Sequence, residues 1–304
     1  MKKKRFISLL FVFAMCLTIT VYAQETDGSS MFGFGVQQAV QAVQDNEQAE
    51  YTDTYTVKFV QQVLNELGYD CGNADGYIGA NTTQAISDYQ TDNDLVVTGS
   101  INQSLLTALG IKEEDGKLYL EDPAADAIEG EVWLTPLPDG LTASVELFDD
   151  FTILVHYKNH TGEDISLTTY YAFGDENEEM FQQGATSTSY LKDGSEYIAI
   201  LDAWDPIVYF GLDYEIGRVL QRTREANEAL SVDSHQNSDG SVTATFTTTQ
   251  NGTSVGGYIF YLDKYRKVIS YENFGIGFGG SMSYPFSAPE KEYFDYIICY
   301  EALA

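Results

Sequence analysis

The chain has 304 residues, with 16 Lys and Arg against 46 Asp and Glu and a formal net charge of −30. A field of that sign repels nucleic acid and anionic lipid, which argues against both as partners, although many exported proteins are acidic simply for solubility. The length suits two or three domains of ordinary size.

The first residues predict a secretion signal over 1–23. Lys2, Lys3, Lys4 and Arg5 precede an apolar run from Phe6 to Val21, and Ala23 ends a small-residue cleavage site before Gln24. Met15 stands where a lipoprotein signal needs a small residue before Cys16, so lipid attachment is not expected. Removing the segment takes the charge from −30 to −34, because it holds four basic residues and no acidic one. No later stretch is apolar for long enough to cross a bilayer, so the mature chain is expected outside the cytoplasm and off the membrane. It keeps Cys71 and Cys299, which fall in different expected domains and are read as two free, structural thiols.

Residues 24–50 read as a spacer, with Val36, Ala39, Val40 and Val43 at the spacing of a short amphipathic helix. Residues 51–111 read as a helical module. The first helix is predicted over about 56–67, with Val57, Val60, Leu64 and Leu67 on one face and Gly68 as its stop. A loop follows from Tyr69 to Gly79. The second helix is predicted from Ala80 to Asp92, turning Ala85, Ile86 and Tyr89 inward. The third starts near Asn102 and carries Leu105, Leu106 and Leu109. Residues 112–129 are acidic and contain Pro123, which predicts a linker.

From about 130 the texture changes to period-two alternation rich in tyrosine. Candidate strands are 143–147, 151–157, 166–173, 197–201, 242–248, 257–262, 268–271 and 293–300, separated by turn pairs such as Asp193-Gly194 and Asn251-Gly252. A diverged internal repeat is visible. Thr161-Gly162 leads to a strand and then Asp175, and Asn251-Gly252 leads to a strand and then Asp263. Asp193-Gly194-Ser195 corresponds to Gly279-Gly280-Ser281, and Asp213-Tyr214 to Asp295-Tyr296. Two β-sandwich units are therefore expected, over 130–229 and 230–304, with a helix or arm between them at 217–230. Their texture weakly resembles the immunoglobulin-like modules common in secreted proteins of Gram-positive bacteria.

Within the helical module the pattern is dense. Val57-x-x-Val60-Gln61-x-x-Leu64 is followed by Asp75-Gly76-x-x-Gly79-x-x-Thr82-x-x-Ala85 and then Tyr89-Gln90. Glycines permit a tight turn ahead of the second helix, Asp75 suits a turn acceptor, and Gln61 and Gln90 suit ties between helix and loop. The joint pattern resembles the three-helix peptidoglycan-binding domain of bacterial cell-wall proteins. The resemblance departs at Ser100, Ile101, Asn102 and Gln103, which replace the more usual glycine-containing turn. It implies a small all-α module followed by all-β units, and peptidoglycan as partner through a glycan strand or stem peptide. Tyr69, Asp75, Gly76, Tyr77, Asn81 and Thr82 are the candidate contacts, offering aromatic faces, fixed hydrogen bonders and free amides at a helix start.

Catalytic signatures do not assemble. His156, His160 and His235 are the only histidines. The first two lie on a strand running into a turn, and are read as solvated rather than as zinc ligands. Neither Cys71 nor Cys299 lies in a nucleophile motif, no Gly-x-Ser-x-Gly elbow occurs, and no Asp-x-Asp-x-Asp-Gly calcium loop appears. No catalytic residue, metal or cofactor is therefore assigned. The expected function is that of a secreted, non-catalytic, wall-associated protein, its β units free to meet another surface protein or glycan. A peptidoglycan hydrolase with an unrecognised C-terminal catalytic domain, and a protein–protein docking protein, are the alternatives.

Overall fold

The computed structural model describes residues 50–121 and 134–303, apart from 178. The signal, nearly all of the spacer and the remainder of the linker, each read from sequence, lie outside the described residues. The chain divides into two compact units, Met1–Glu121 and Asp122–Ala304.

In the first unit three helices follow the apolar periodicity: α1 (Thr54–Glu66), α2 (Ala80–Asp92) and α3 (Gln103–Leu109). Asp53 caps α1 by accepting from the Thr56 amide at 2.8 Å, and Asn102 caps α3 by accepting from that of Leu105 at 2.9 Å. Val57, Val60, Leu64, Ile86, Ile101 and Leu105 are fully buried and form the core. Leu67 does not join them. It lies just past the last turn of α1 and is 55% exposed, so the buried stripe is completed instead by Phe59 and Val63.

The expected linker begins as structure. Strands β1 (Ile111–Glu114) and β2 (Lys117–Leu120) form an antiparallel hairpin. Asp115 and Gly116 both take positive φ, at 52° and 74°, as a tight two-residue turn between right-twisted strands requires. Ile111 and Leu118 are buried, and the Leu118 amide donates to the Tyr55 hydroxyl at 3.0 Å, which ties the hairpin to α1.

The second unit is antiparallel β with one short helix. Strands β3 (Leu141–Asp149), β4 (Thr152–Asn159) and β7 (Glu196–Asp202) form one sheet in the order β3-β4-β7; β5 (Ile165–Gly174), β6 (Met180–Leu191) and β8 (Tyr209–Arg218) form another, ordered β6-β5-β8. Both contribute to one core, which includes Ile153, Tyr157, Leu167, Phe173 and Leu212. The Tyr157 hydroxyl meets that of Thr169 at 2.8 Å, so a buried polar pair also bridges the sheets.

The helix α4 (Gln221–Glu228) and strands β9 (Leu230–Gln236), β10 (Val242–Leu262), β11 (Val268–Phe286) and β12 (Asp295–Leu303) complete the chain. The long β10 shifts register between Thr248 and Thr253. Its first half pairs with β9 and with the end of β11; its second half pairs with β12 and with the start of β11. The bent β10–β11 hairpin thus stands in for four strands, and the neighbour order repeats that of β3 to β8.

The turns agree with this. Gly162 and Gly252 take φ of 82° and 71°, Gly194 and Gly280 of 76° and 81°. Asp175 accepts from the amides of Asn177 and Glu179, as Asp263 does from those of Tyr265 and Lys267. The repeat read from the sequence is therefore a repeat of topology. In the second copy two inter-strand turns have straightened into continuous strands.

The copies share a third apolar cluster. Leu154 and Ile198 of the first meet Phe260, Leu262, Val268 and Cys299 of the second. Charge reinforces it: Arg266 donates to both oxygens of Glu196 at 3.0 and 2.8 Å, and the Val268 amide donates to Glu146 at 3.0 Å. His156, expected in solvent, is mostly buried and bonds the other Glu146 oxygen at 2.9 Å. Cys71 and Cys299 are both free and buried, as expected.

Phe260 is fully buried in this shared cluster. Phe260→Ala should cost about 3–5 kcal/mol of its stability. Calorimetry should then resolve two transitions in the β unit where the native protein gives one. A single transition merely shifted downward would mean the copies are coupled elsewhere.

Candidate functional site

Two side chains of α1, four residues apart, hold the long loop between α1 and α2. Asn65 takes its first part: the amide of Cys71 donates to Asn65 Oδ1 at 2.7 Å, and Asn65 Nδ2 donates to the Gly72 carbonyl at 2.9 Å. Gln61 takes the second part and is 1% exposed. Its Oε1 accepts from the Gly76 amide at 2.8 Å; its Nε2 faces Asp75 Oδ1 at 3.2 Å, the Tyr77 carbonyl at 3.0 Å and Thr82 Oγ1 at 3.0 Å. One buried amide thereby fixes three consecutive loop residues and the first turn of α2. Gly76 has φ of 81°, and a Cβ there would lie 2.6 Å from the Thr54 carbonyl oxygen, so no other residue fits without moving α1.

The device occurs twice. Gln90, also 1% exposed, accepts from the amides of Thr98 and Gly99, both at 2.9 Å, and donates to Thr98 Oγ1 at 3.0 Å. Thr98 does for the turn before α3 what Asp75 does for the turn before α2. Its Oγ1 accepts from Ser100 N at 3.2 Å, where Asp75 Oδ1 accepts from Tyr77 N at 3.0 Å.

The six candidate residues divide. Tyr77 is 71% exposed, beside Asp75 and Asn81, which are also exposed at the start of α2. Gly76 is buried and gives the turn its shape rather than a contact. Thr82 is 2% exposed, its hydroxyl committed to Gln61, so it is a clamp residue and offers no open surface. Tyr69 leaves the group as well. Its ring packs edge-on to Tyr89 at 5.3 Å and its hydroxyl donates to Asp92 at 3.1 Å. Asp92 ends α2, about 18 Å along the axis from the helix start at 1.5 Å per residue, so Tyr69 and Tyr77 do not converge.

Sequence reasoning missed Ile78, which is 40% exposed next to Tyr77. Its signal was an apolar side chain placed between two loop glycines, where no core position requires one. The α2 N-terminus adds a positive end: Gly79 is its cap and supplies no side-chain acceptor. Tyr77, Ile78 and Asn81 are thus exposed at a helix start that no side chain caps, with the exposed Asp75 just before them.

Elsewhere the chemistry is quiet. Burial pushes the Cys71 thiol up to about 11 and the Cys299 thiol up to about 12, the wrong direction for a nucleophile. Among the described residues no three His, Cys, Asp or Glu side chains converge as metal ligands, and no helix is long and apolar enough to cross a membrane.

Residues 54–109 match the family model described as "Putative peptidoglycan binding domain". Among curated proteins, the localization factor PodJL of Caulobacter vibrioides, in strains NA1000 / CB15N and ATCC 19089 / CIP 103742 / CB 15, is 32% identical over 93 residues. The match covers 31% of this chain and 10% of that protein. Among solved structures, red sea bream transglutaminase aligns with 55% of this chain and 29% of its own, at 12% identity and a TM-score of 0.18. A chaperone–tip adhesin complex of CFA/I fimbriae aligns with 50% and 88%, at 10% identity and a TM-score of 0.17. Scores this low carry no argument about the β unit. The helical module is a peptidoglycan-binding domain, and Gln61, Asp75, Gly76 and Thr82 form its internal clamp.

Asp75 gives the clamp a pH dependence. The Tyr77 amide and then the Gln61 side chain hold its carboxyl below the ordinary carboxylate value. A depressed carboxyl contributes stability above the unfolded value of about 3.9, and that contribution is lost as pH falls through the folded value. Asp75→Asn should therefore lower the melting temperature of the helical unit at pH 7, with the deficit closing as pH falls through the lowered folded value of Asp75. A deficit constant across that range would show that the Asp75 charge is not what matters.

Proposed function

We propose that the protein is secreted, non-catalytic and wall-associated, held on peptidoglycan by its helical module while its β unit is displayed for a further contact. The observation that carries the reading is the preformed turn at the start of α2. Tyr77, Ile78 and Asn81 are exposed there beside a helix start without a side-chain cap, on a module that matches the putative peptidoglycan-binding family. A tyrosine face suits a sugar ring, the Asn81 amide suits an acetamido group or a peptide bond, and outward helix amides suit a stem-peptide carboxylate.

Several features support a binding role over hydrolysis. Both buried thiols are held protonated, and His156 is engaged with Glu146. The matching relative is named for localization. Each copy of the β unit sets two three-stranded antiparallel layers against each other, β3-β4-β7 and β6-β5-β8 in the first. We accordingly read both as immunoglobulin-like display modules.

The test is co-sedimentation with purified, insoluble sacculi. The intact protein and residues 50–121 should both pellet, and residues 134–304 should stay in solution. Tyr77→Ala and Asn81→Ala should each weaken retention about tenfold, roughly 1.4 kcal/mol, without changing the melting temperature. Retention by the β unit alone, or a clear zone in a wall-containing zymogram, would contradict the reading.

A further inference from the structure

One end of the first β copy carries an apolar surface that the fold does not require. Trp204 is 68% exposed, Val208 61%, Met180 58%, Leu147 53% and Phe151 44%. They come from the end of β3 and the β3–β4 turn, the start of β6, and the β7–β8 segment. Backbone hydrogen bonds gather these into one surface. The Ala203 amide donates to the Phe151 carbonyl at 2.7 Å, that of Ile207 to Asp150 at 2.8 Å, and that of Val208 to Gly174 at 3.0 Å. Trp204 is set from both sides: its amide donates to Gln182 Oε1 at 3.1 Å, and its ring meets Phe181 edge-on at 5.1 Å. A tryptophan held this firmly yet left in water resembles an interface anchor more than a loose loop residue.

The second copy provides an internal control. Its corresponding segments, 237–241, 263–267 and 287–294, contain no large apolar side chain classed as exposed among the described residues. Tyr293, in the connection that corresponds to the Trp204 segment, is buried instead against Tyr261. The same topology thus closes without such a patch, and its presence in the first copy needs another reason.

Charge selects the occupant. Segments 147–151, 175–180 and 202–209 hold only carboxylates among their ionisable side chains apart from Tyr209, and no Lys, Arg or His. A second copy of this chain, at net −30, is repelled by such a rim, as is an anionic lipid surface. A cationic protein segment is attracted. The chain already contains one contact of this kind: Arg266, on the turn of the second copy that corresponds to the acidic β5–β6 turn, grips Glu196 of the first.

We propose that the Trp204 end of the first β copy docks a basic segment of another protein, an apolar side chain of that segment seating against Trp204, Val208 and Met180 while its cations meet the carboxylate rim. This assignment concerns the β unit alone and holds whether or not the helical module grips the wall.

The chain has two tryptophans, so Trp133→Phe leaves Trp204 as the only indole reporter. The intact variant is titrated with a short lysine–leucine peptide and with its glutamate–leucine counterpart. The lysine peptide should shift Trp204 emission to the blue, with affinity falling as salt rises. The glutamate peptide should not. Val208→Ser and Met180→Ser, both on exposed positions, should each weaken the lysine peptide at least about tenfold, with unchanged melting temperatures. Three results would overturn the proposal: no response to the lysine peptide, an equal response to both peptides, or a blue shift produced by soluble peptidoglycan fragments instead. Concentration-dependent dimerisation abolished by Val208→Ser would also overturn it, in favour of a second copy.

Discussion

Gln61 is the side chain on which the helical unit depends. Its amide is one of the few polar groups sealed inside the module, and it bonds Asp75, Gly76, Tyr77 and Thr82 at once. An apolar residue there would leave the Gly76 amide buried without an acceptor, a cost of about 1–3 kcal/mol before the loop itself is considered. Beyond the Asn65 bonds to Cys71 and Gly72, the loop has little else to order it. Its residues are mostly exposed, and apart from Cys71 it adds nothing large to the core. The exposure of Tyr77 and Ile78 is therefore set from below, by a hydrogen-bond donor on a different helix. Gln90 repeats the arrangement at the next turn, so the module is built from two glutamine-pinned glycine turns joined by α2.

That logic explains how much of the first unit was legible in the sequence. The helix spans were legible as apolar periodicity, and Gln61 ahead of Asp75-Gly76 is a pattern that the clamp explains. Three-dimensional allocation was less legible. Thr82 and Tyr69 have the right chemistry for a binding surface, but one is used up inside the clamp and the other is carried to the far end of α2. The β1–β2 hairpin was hidden by its charge: Glu113, Glu114 and Asp115 read as linker, although Asp115-Gly116 is the strongest short hairpin signal in this region.

In the β unit, strands with clear apolar alternation were visible, the edge strands β3, β7 and β12 among them, and the more polar strands were not. The strand β6 is largely Gln, Ser, Thr and Gly, and most of its residues are exposed or half-buried; alternation carries little information there. The strand β9 is similarly polar. The repeat nevertheless emerged from turn chemistry, because Asp and Gly are required where the chain must reverse or bulge, whatever the strands between contain. Its physical consequence appears in the contact between copies. Outward faces that would be polar in an isolated sandwich carry Leu154, Ile198, Phe260 and Leu262, so the two copies meet through an apolar contact of their own.

The account places wall recognition at one small region, the turn entering α2. Amide-resolved NMR of the labelled protein, titrated with soluble peptidoglycan fragments, addresses that region directly. Progressive shifts confined to the amides of residues 75–83, with Tyr69 and the Thr98–Gly99 turn unmoved, are the expected result. Shifts centred on any other surface, or none at saturating fragment, would contradict it.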